Sequence, residues 1–197
     1  MKKLYILFYI LCFTSAGLAQ GLEEAQKKIS SLKKKKVDTL VSVYRYSSGM
    51  NMPTKKGKDC FLTASQLLIW TKDGEYFKQS FDNCNEYKEK KIDSSLFIKY
   101  IRDSIKVLKN AEILKVKCEF TDMAGQIHSK KDTPPINSKF TDITFYIGAT
   151  TMLKKIDHYH LFKENCDEEH LNANYEANMA GILKRLFDEA DTEMRDK

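Results

Sequence analysis

Three of the four histidines in this 197-residue chain fall close together, in Asp157-His158-Tyr159-His160 and at His170, with Cys166 between them. Imidazoles at positions i and i+2 of a β-strand project from one face, near enough to share one zinc or copper ion at about 2.0–2.1 Å. A β-rich reading of 155–162 makes His158 and His160 a candidate metal pair. His170, folding back from the first turns of a following helix, or Asp157 would supply the third ligand, although Asp157 faces the other way in a regular strand. The chemistry implied is zinc binding, or hydrolysis assisted by zinc. Against it, two histidines alone hold a metal weakly, and histidines beside acidic residues also suit an ordinary surface.

Other reactions leave no trace. The chain has no Gly-x-Ser-x-Gly elbow, no Gly-x-x-x-x-Gly-Lys phosphate loop, no Gly-x-Gly-x-x-Gly and no His-Glu-x-x-His. Carboxylates are plentiful, but spacing does not pair them into a glycosidase-type site. Trp70, Tyr76 and Phe77 fit a ligand platform, but aromatics of this kind more often form core.

The location comes from the first residues. Lys2 and Lys3, the apolar run Leu4 to Phe13 and Gly17-Leu18-Ala19 form the charge, apolar and small-residue series of a secretory signal peptide, with cleavage between Ala19 and Gln20. The run is shorter than the roughly 20 residues that span a bilayer. Leu11 before Cys12 argues against a lipid anchor. The mature chain is therefore expected in the periplasm or outside the cell, with no transmembrane helix, and its cysteines in an oxidising compartment. Cys60, Cys84, Cys118 and Cys166 then form two disulfides in one of three pairings. Cys60 with Cys84, and Cys118 with Cys166, is the favoured set.

The elements that must position these groups start from the only tryptophan. Asp73-Gly74 tolerates the two positive φ values of a type I′ turn, and places Lys72 opposite Glu75, Trp70 opposite Phe77 and Leu68 opposite Gln79. The Trp70 face is taken as the inner one. In that register Cys84 falls about three residues out of step with Cys60, so their pairing needs a bulge near 59–63.

Residues 20–36 carry Leu22, Ala25, Ile29 and Leu32 at helical spacing, an amphipathic arm or short helix ending in Lys33-Lys34-Lys35-Lys36. That run suits contact with an anionic surface, or a solvated helix end. Period-two patterning predicts strands over 37–46, 114–120 and 140–147, and a short return strand at 126–128. Helices are expected over 94–109, capped by Asp93 and closed by Asn110, and over 165–191, with Gly181 inside.

The whole is an α+β domain over 37–191: an antiparallel sheet of about six strands with two main helices packed on one face, and a frayed tail from 192 to 197. A formal net charge of +6, two of whose basic residues lie in the leader, is too mild for a nucleic-acid binder. Three functions remain: an exported, non-enzymatic domain that binds a partner or envelope component, a metal protein using His158 and His160, or a carrier of an apolar small molecule.

Overall fold

The computed structural model describes residues 20–49, 64–83, 85–130, 133–168 and 170–195. The leader with Ala19, and the cysteines Cys60 and Cys84, lie outside these residues.

Helix α1 (Gln20–Lys34) leads into strands β1 (Thr39–Ser47), β2 (Ala64–Lys72), β3 (Glu75–Asp82) and β4 (Lys90–Ile92). Helix α2 (Leu96–Asn110), the short strands β5 (Cys118–Thr121) and β6 (Ile127–Lys130), and the long strands β7 (Lys139–Ile147) and β8 (Thr150–Asp157) follow. Helices α3 (His158–Phe162), α4 (Tyr175–Ala180) and α5 (Ile182–Arg195) complete the order. Six strands pair antiparallel as β4-β3-β2-β1-β7-β8, and β5 pairs with β6 as a separate hairpin.

The β2–β3 turn behaves as the sequence predicts. Asp73 and Gly74 take φ of +53° and +79°, and Trp70 stands opposite Phe77 with the rings stacked at 5.7 Å. The choice of inner face needs correction, because both faces are covered. Val41, Val43, Leu67, Ile69, Ile143, Phe145 and Ile156 point to the larger core, closed by α2 and α5 together. Leu40, Leu68, Trp70 and Phe81 point the other way, onto Ala25, Ile29 and Leu32 of α1. Strands so placed read as near-continuous apolar runs, which is why LVSV and LLIW show little alternation.

The N-terminal arm is thus a docked helix. Val37 N–H donates to Leu32 O and Lys36 N–H to Lys33 O, with Lys36 at φ +52°, the arrangement of a Schellman stop. At the other end α1 lies against the β3 terminus so closely that a Cβ on Gly21 would meet Asp82 O at 2.0 Å. Only glycine permits that approach.

Several expected boundaries move. Ser95 caps α2 in place of Asp93, its hydroxyl accepting from Ile98 N–H, and Ala111 in extended conformation ends the helix in place of a left-handed Asn110. Residues 111–117 belong to no helix or strand, so the strand expected over 114–120 shrinks to β5. The helix expected from Asn165 starts at Tyr175 and is cut at Gly181, whose ψ of 156° is extended. At the C-terminus α5 continues to Arg195, and Met194 is buried in the larger core where a frayed tail was expected.

Cys118 and Cys166 are joined, with Cα atoms 5.7 Å apart. The bond fixes the β5–β6 hairpin to the chain between α3 and α4, where Cys118 also bridges Asn172. A two-stranded hairpin has little stability alone, so this cross-link supplies what packing does not.

Candidate functional site

The predicted metal pair rests on a strand through His160, and the structure ends that strand at Asp157. Asp157 turns from strand residue to helix cap, its carboxylate accepting from Tyr159 N–H at 2.9 Å. His158 and His160 then sit on α3, where residues two apart diverge by about 200°. Their contacts differ accordingly. His158 Nε2 meets Thr141 Oγ1 at 2.8 Å, whereas His160 Nδ1 accepts from Val116 N–H at 3.3 Å, and its Nε2 lies 3.8 Å from Asp157. His170 pairs with Asp167 at 2.7 Å and its ring lies 5.4 Å from that of Phe120, beside the disulfide. Among the described residues no three His, Cys, Asp or Glu side chains gather as a metal site.

His158 belongs to a different constellation, one built across the whole chain. Its ring stands edge-on to Phe187 at 4.9 Å and to Phe162 at 6.0 Å. Arg45, near the end of β1, lies 5.1 Å from the Phe187 centroid and donates from Nη1 to Asp191 of α5 at 2.6 Å. Arg195 also pairs with Asp191. Burial raises the Asp191 pKa, but hydrogen bonds and charge from Arg45 and Arg195 outweigh it and hold the carboxyl low. Burial, reinforced by Arg45 and Lys139 and only partly offset by Asp157 and Asp191, pushes the imidazole of His158 down to about 4. It is a neutral ring at pH 7.

A hydroxyl at 2.8 Å from a neutral imidazole has the geometry of a nucleophile and its base. Thr141 is completely buried, however, so no substrate reaches its oxygen. The pair is a structural bond that seats α3 on β7. Similarly, Arg45 and Asp191 tie β1 to α5 over 146 residues of sequence.

The open groove on the α1 side of the sheet offers more. Helix α1 covers only part of that face, and beside it β1, β2 and β7 present Ser42, Tyr44, Gln66, Asp142, Thr144 and Tyr146 around a groove of about 600 Å³. Strand register explains the grouping: Tyr44 stands opposite both Gln66 and Asp142, and Ser42 opposite Thr144. Gln66 Nε2 donates to Ser42 Oγ at 2.7 Å, and both residues are buried. Asp142 accepts from the Tyr46 phenol, and Lys155 lies near, but burial dominates and raises its carboxyl. Its Oδ1, itself buried, has no hydrogen-bond partner among the described residues. Burial also raises the phenols of Tyr44 and Tyr146, which keeps them protonated donors.

No part of this groove was singled out from the sequence, yet a signal was present. Ser42 and Gln66 are polar residues at the same parity as Leu40 and Leu68, each next to an apolar run buried on both faces. The lysines of the N-terminal arm, Lys33 to Lys36, are exposed, and Lys33 lies over the Tyr146 ring at 4.0 Å. No helix among the described residues is long and apolar enough to cross a membrane. Comparison with protein-family models, with curated proteins and with solved structures finds no match to this chain.

Proposed function

We propose that the protein is an exported, non-enzymatic binding domain, and that its ligand seat is the groove between α1 and strands β1, β2 and β7. The leader pattern and the Cys118–Cys166 bond support export. The observation that carries the binding role is the groove itself, about 600 Å³ and lined by Ser42, Tyr44, Gln66, Asp142, Thr144 and Tyr146.

The groove's lining selects the kind of ligand. Hydroxyls, the carboxamides of Gln26 and Gln66, and the carboxylates of Glu23 and Asp142, the latter with Lys155 beside it, make a set able both to donate and to accept, and Leu22, Ile29 and Leu153 add apolar surface. A neutral, hydroxyl-rich molecule such as a short oligosaccharide matches that set, and the volume lies in the usual range for small-molecule sites. The exposed run Lys33 to Lys36 beside the groove suits an anionic envelope surface and would hold the domain near such ligands.

The test is an NMR titration with maltotriose and with triacetylchitotriose as probes. Shifts at the amides of Ser42, Tyr44, Asp142 and Thr144 are expected, and their loss in a folded Asp142→Ala variant. Silence at these amides with both probes up to about 10 mM would remove the groove as a seat for such ligands.

A further inference from the structure

The two edges of the six-stranded sheet are treated differently. At one end β4 is only three residues long, too short to template another strand. At the other end β8 runs for eight residues, and among the described residues no backbone hydrogen bond reaches it from anything but β7. An outer strand of this length presents a row of free N–H and C=O groups.

The chain that passes beside this edge leaves it open. Residues 111–117 belong to no strand, and several of their backbone groups are satisfied elsewhere. Leu114 N–H donates to Asn178 Oδ1 at 2.9 Å and Leu114 O accepts from Asn178 Nδ2 at 2.8 Å. Lys117 N–H donates to Asn172 Oδ1 at 2.9 Å, and Val116 N–H to His160. Two buried asparagines thus hold the segment at a distance from β8, and a cleft of about 460 Å³ remains there.

Its charge is one-sided. Lys109, Lys115, Lys154 and Lys155 line the cleft against Glu112 and Asp157. None of the four lysines takes part in an ion pair among the described residues, whereas lysines elsewhere, such as Lys28, Lys91 and Lys184, pair closely with carboxylates. Lys154 instead donates to Lys109 O and Ala111 O at the end of α2, which fixes the floor of the cleft. Leu153, 53% exposed on β8, adds an apolar position to the same strand.

We propose that this edge is a docking site for an extended acidic segment of a partner protein, which adds to β8 as a seventh strand. Backbone pairing to β8 supplies the geometry, alternate side chains of the segment reach the cleft, and its carboxylates meet Lys109, Lys115 and Lys155. The site borders the sugar groove, with Leu153 and Lys155 on the shared rim, but pairing along the outer edge of β8 does not depend on occupancy of that groove.

The experiment uses the mature protein and a library of eight-residue peptides with Asp or Glu at alternate positions and apolar residues between, read by calorimetry and by amide exchange over β8. Binding is expected, with slowed exchange in β8 and at least a tenfold weaker Kd in the Lys109→Glu, Lys115→Glu double variant, whose melting temperature should not change. The same peptides N-methylated at alternate residues keep their charge and lose strand pairing, so they should bind at least tenfold more weakly. Equal binding of the N-methylated peptides would show plain charge attraction and overturn strand addition. No binding by any library member at about 1 mM would overturn the docking site itself and leave the lysines as guards of an exposed edge.

Discussion

Acidification should destabilise this protein through His158, and replacement of that residue isolates the effect. In the folded chain the imidazole titrates at about 4, because it is buried and faces Arg45 and Lys139, while in the unfolded chain it returns to about 6.5. The folded state therefore prefers the neutral ring, and between pH 6.5 and about 4 the unfolded state binds more protons. The contribution to stability is complete above pH 6.5 and drains away as pH falls toward 4. At about 1.4 kcal/mol per pH unit the full difference corresponds to about 3 kcal/mol. The ring keeps part of its surface in water, however, and screening reduces the expected effect to about 1–2 kcal/mol. His158→Gln keeps a group able to bond Thr141 and does not titrate. Urea unfolding of both proteins at pH 7.0 and 4.5 gives four free energies, and the carboxylates that titrate in both cancel in the double difference. The wild type should lose about 1–2 kcal/mol more than the variant over this interval. A titration of the His158 ring protons by NMR with a midpoint near 6.5, or equal losses in the two proteins, would refute the reasoning.

Gly21→Val should detach α1, since the new side chain meets Asp82 O where even a Cβ has only 2.0 Å, and Trp70, 2% exposed under α1, should shift its emission to the red; an unchanged spectrum would contradict the docking. Reduction of Cys118–Cys166 should cost about 2–4 kcal/mol, given the 48 residues between the two positions, and should speed amide exchange in β5 and β6 before it affects β1 or β2. Leu186→Asp, placing a charge at a fully buried position between α5 and the sheet, should prevent folding, while Arg185→Asp on the exposed side of the same helix should leave a cooperative melt. Dialysis against zinc followed by elemental analysis should find no stoichiometric metal, because His158 and His160 diverge on α3; retention of one zinc per chain, lost in His158→Ala, would show that divergence to be wrong.

Local chemistry was legible in the sequence wherever the decision lay within a few residues. Asp73-Gly74 set the turn and with it the register from Lys72 opposite Glu75 to Trp70 opposite Phe77, since a two-residue loop with positive φ leaves no other pairing. The stripe from Phe97 to Leu108 identified α2, and Leu183, Leu186 and Ala190 identified the buried side of α5, because helical spacing brings such residues together before any tertiary contact exists.

What only the tertiary structure decided lay in competition between distant parts of the chain. The run 155–162 is consistent with a strand throughout; whether Asp157 continues it or caps a helix depends on Thr141 and Phe187, 16 or more residues away, which hold His158 where β8 ends. Residues 114–117 alternate like a strand, but Asn172 and Asn178 take the hydrogen bonds that a sheet neighbour would have received. Period-two alternation shows that a segment is extended and is silent on what it pairs with. The same limit hid both proposed sites. Asp142 and Ser42 meet because β7 lies beside β1, and Lys109 and Lys155 meet because β8 is the last strand of the sheet, and strand order across a sheet is set by packing of the whole chain.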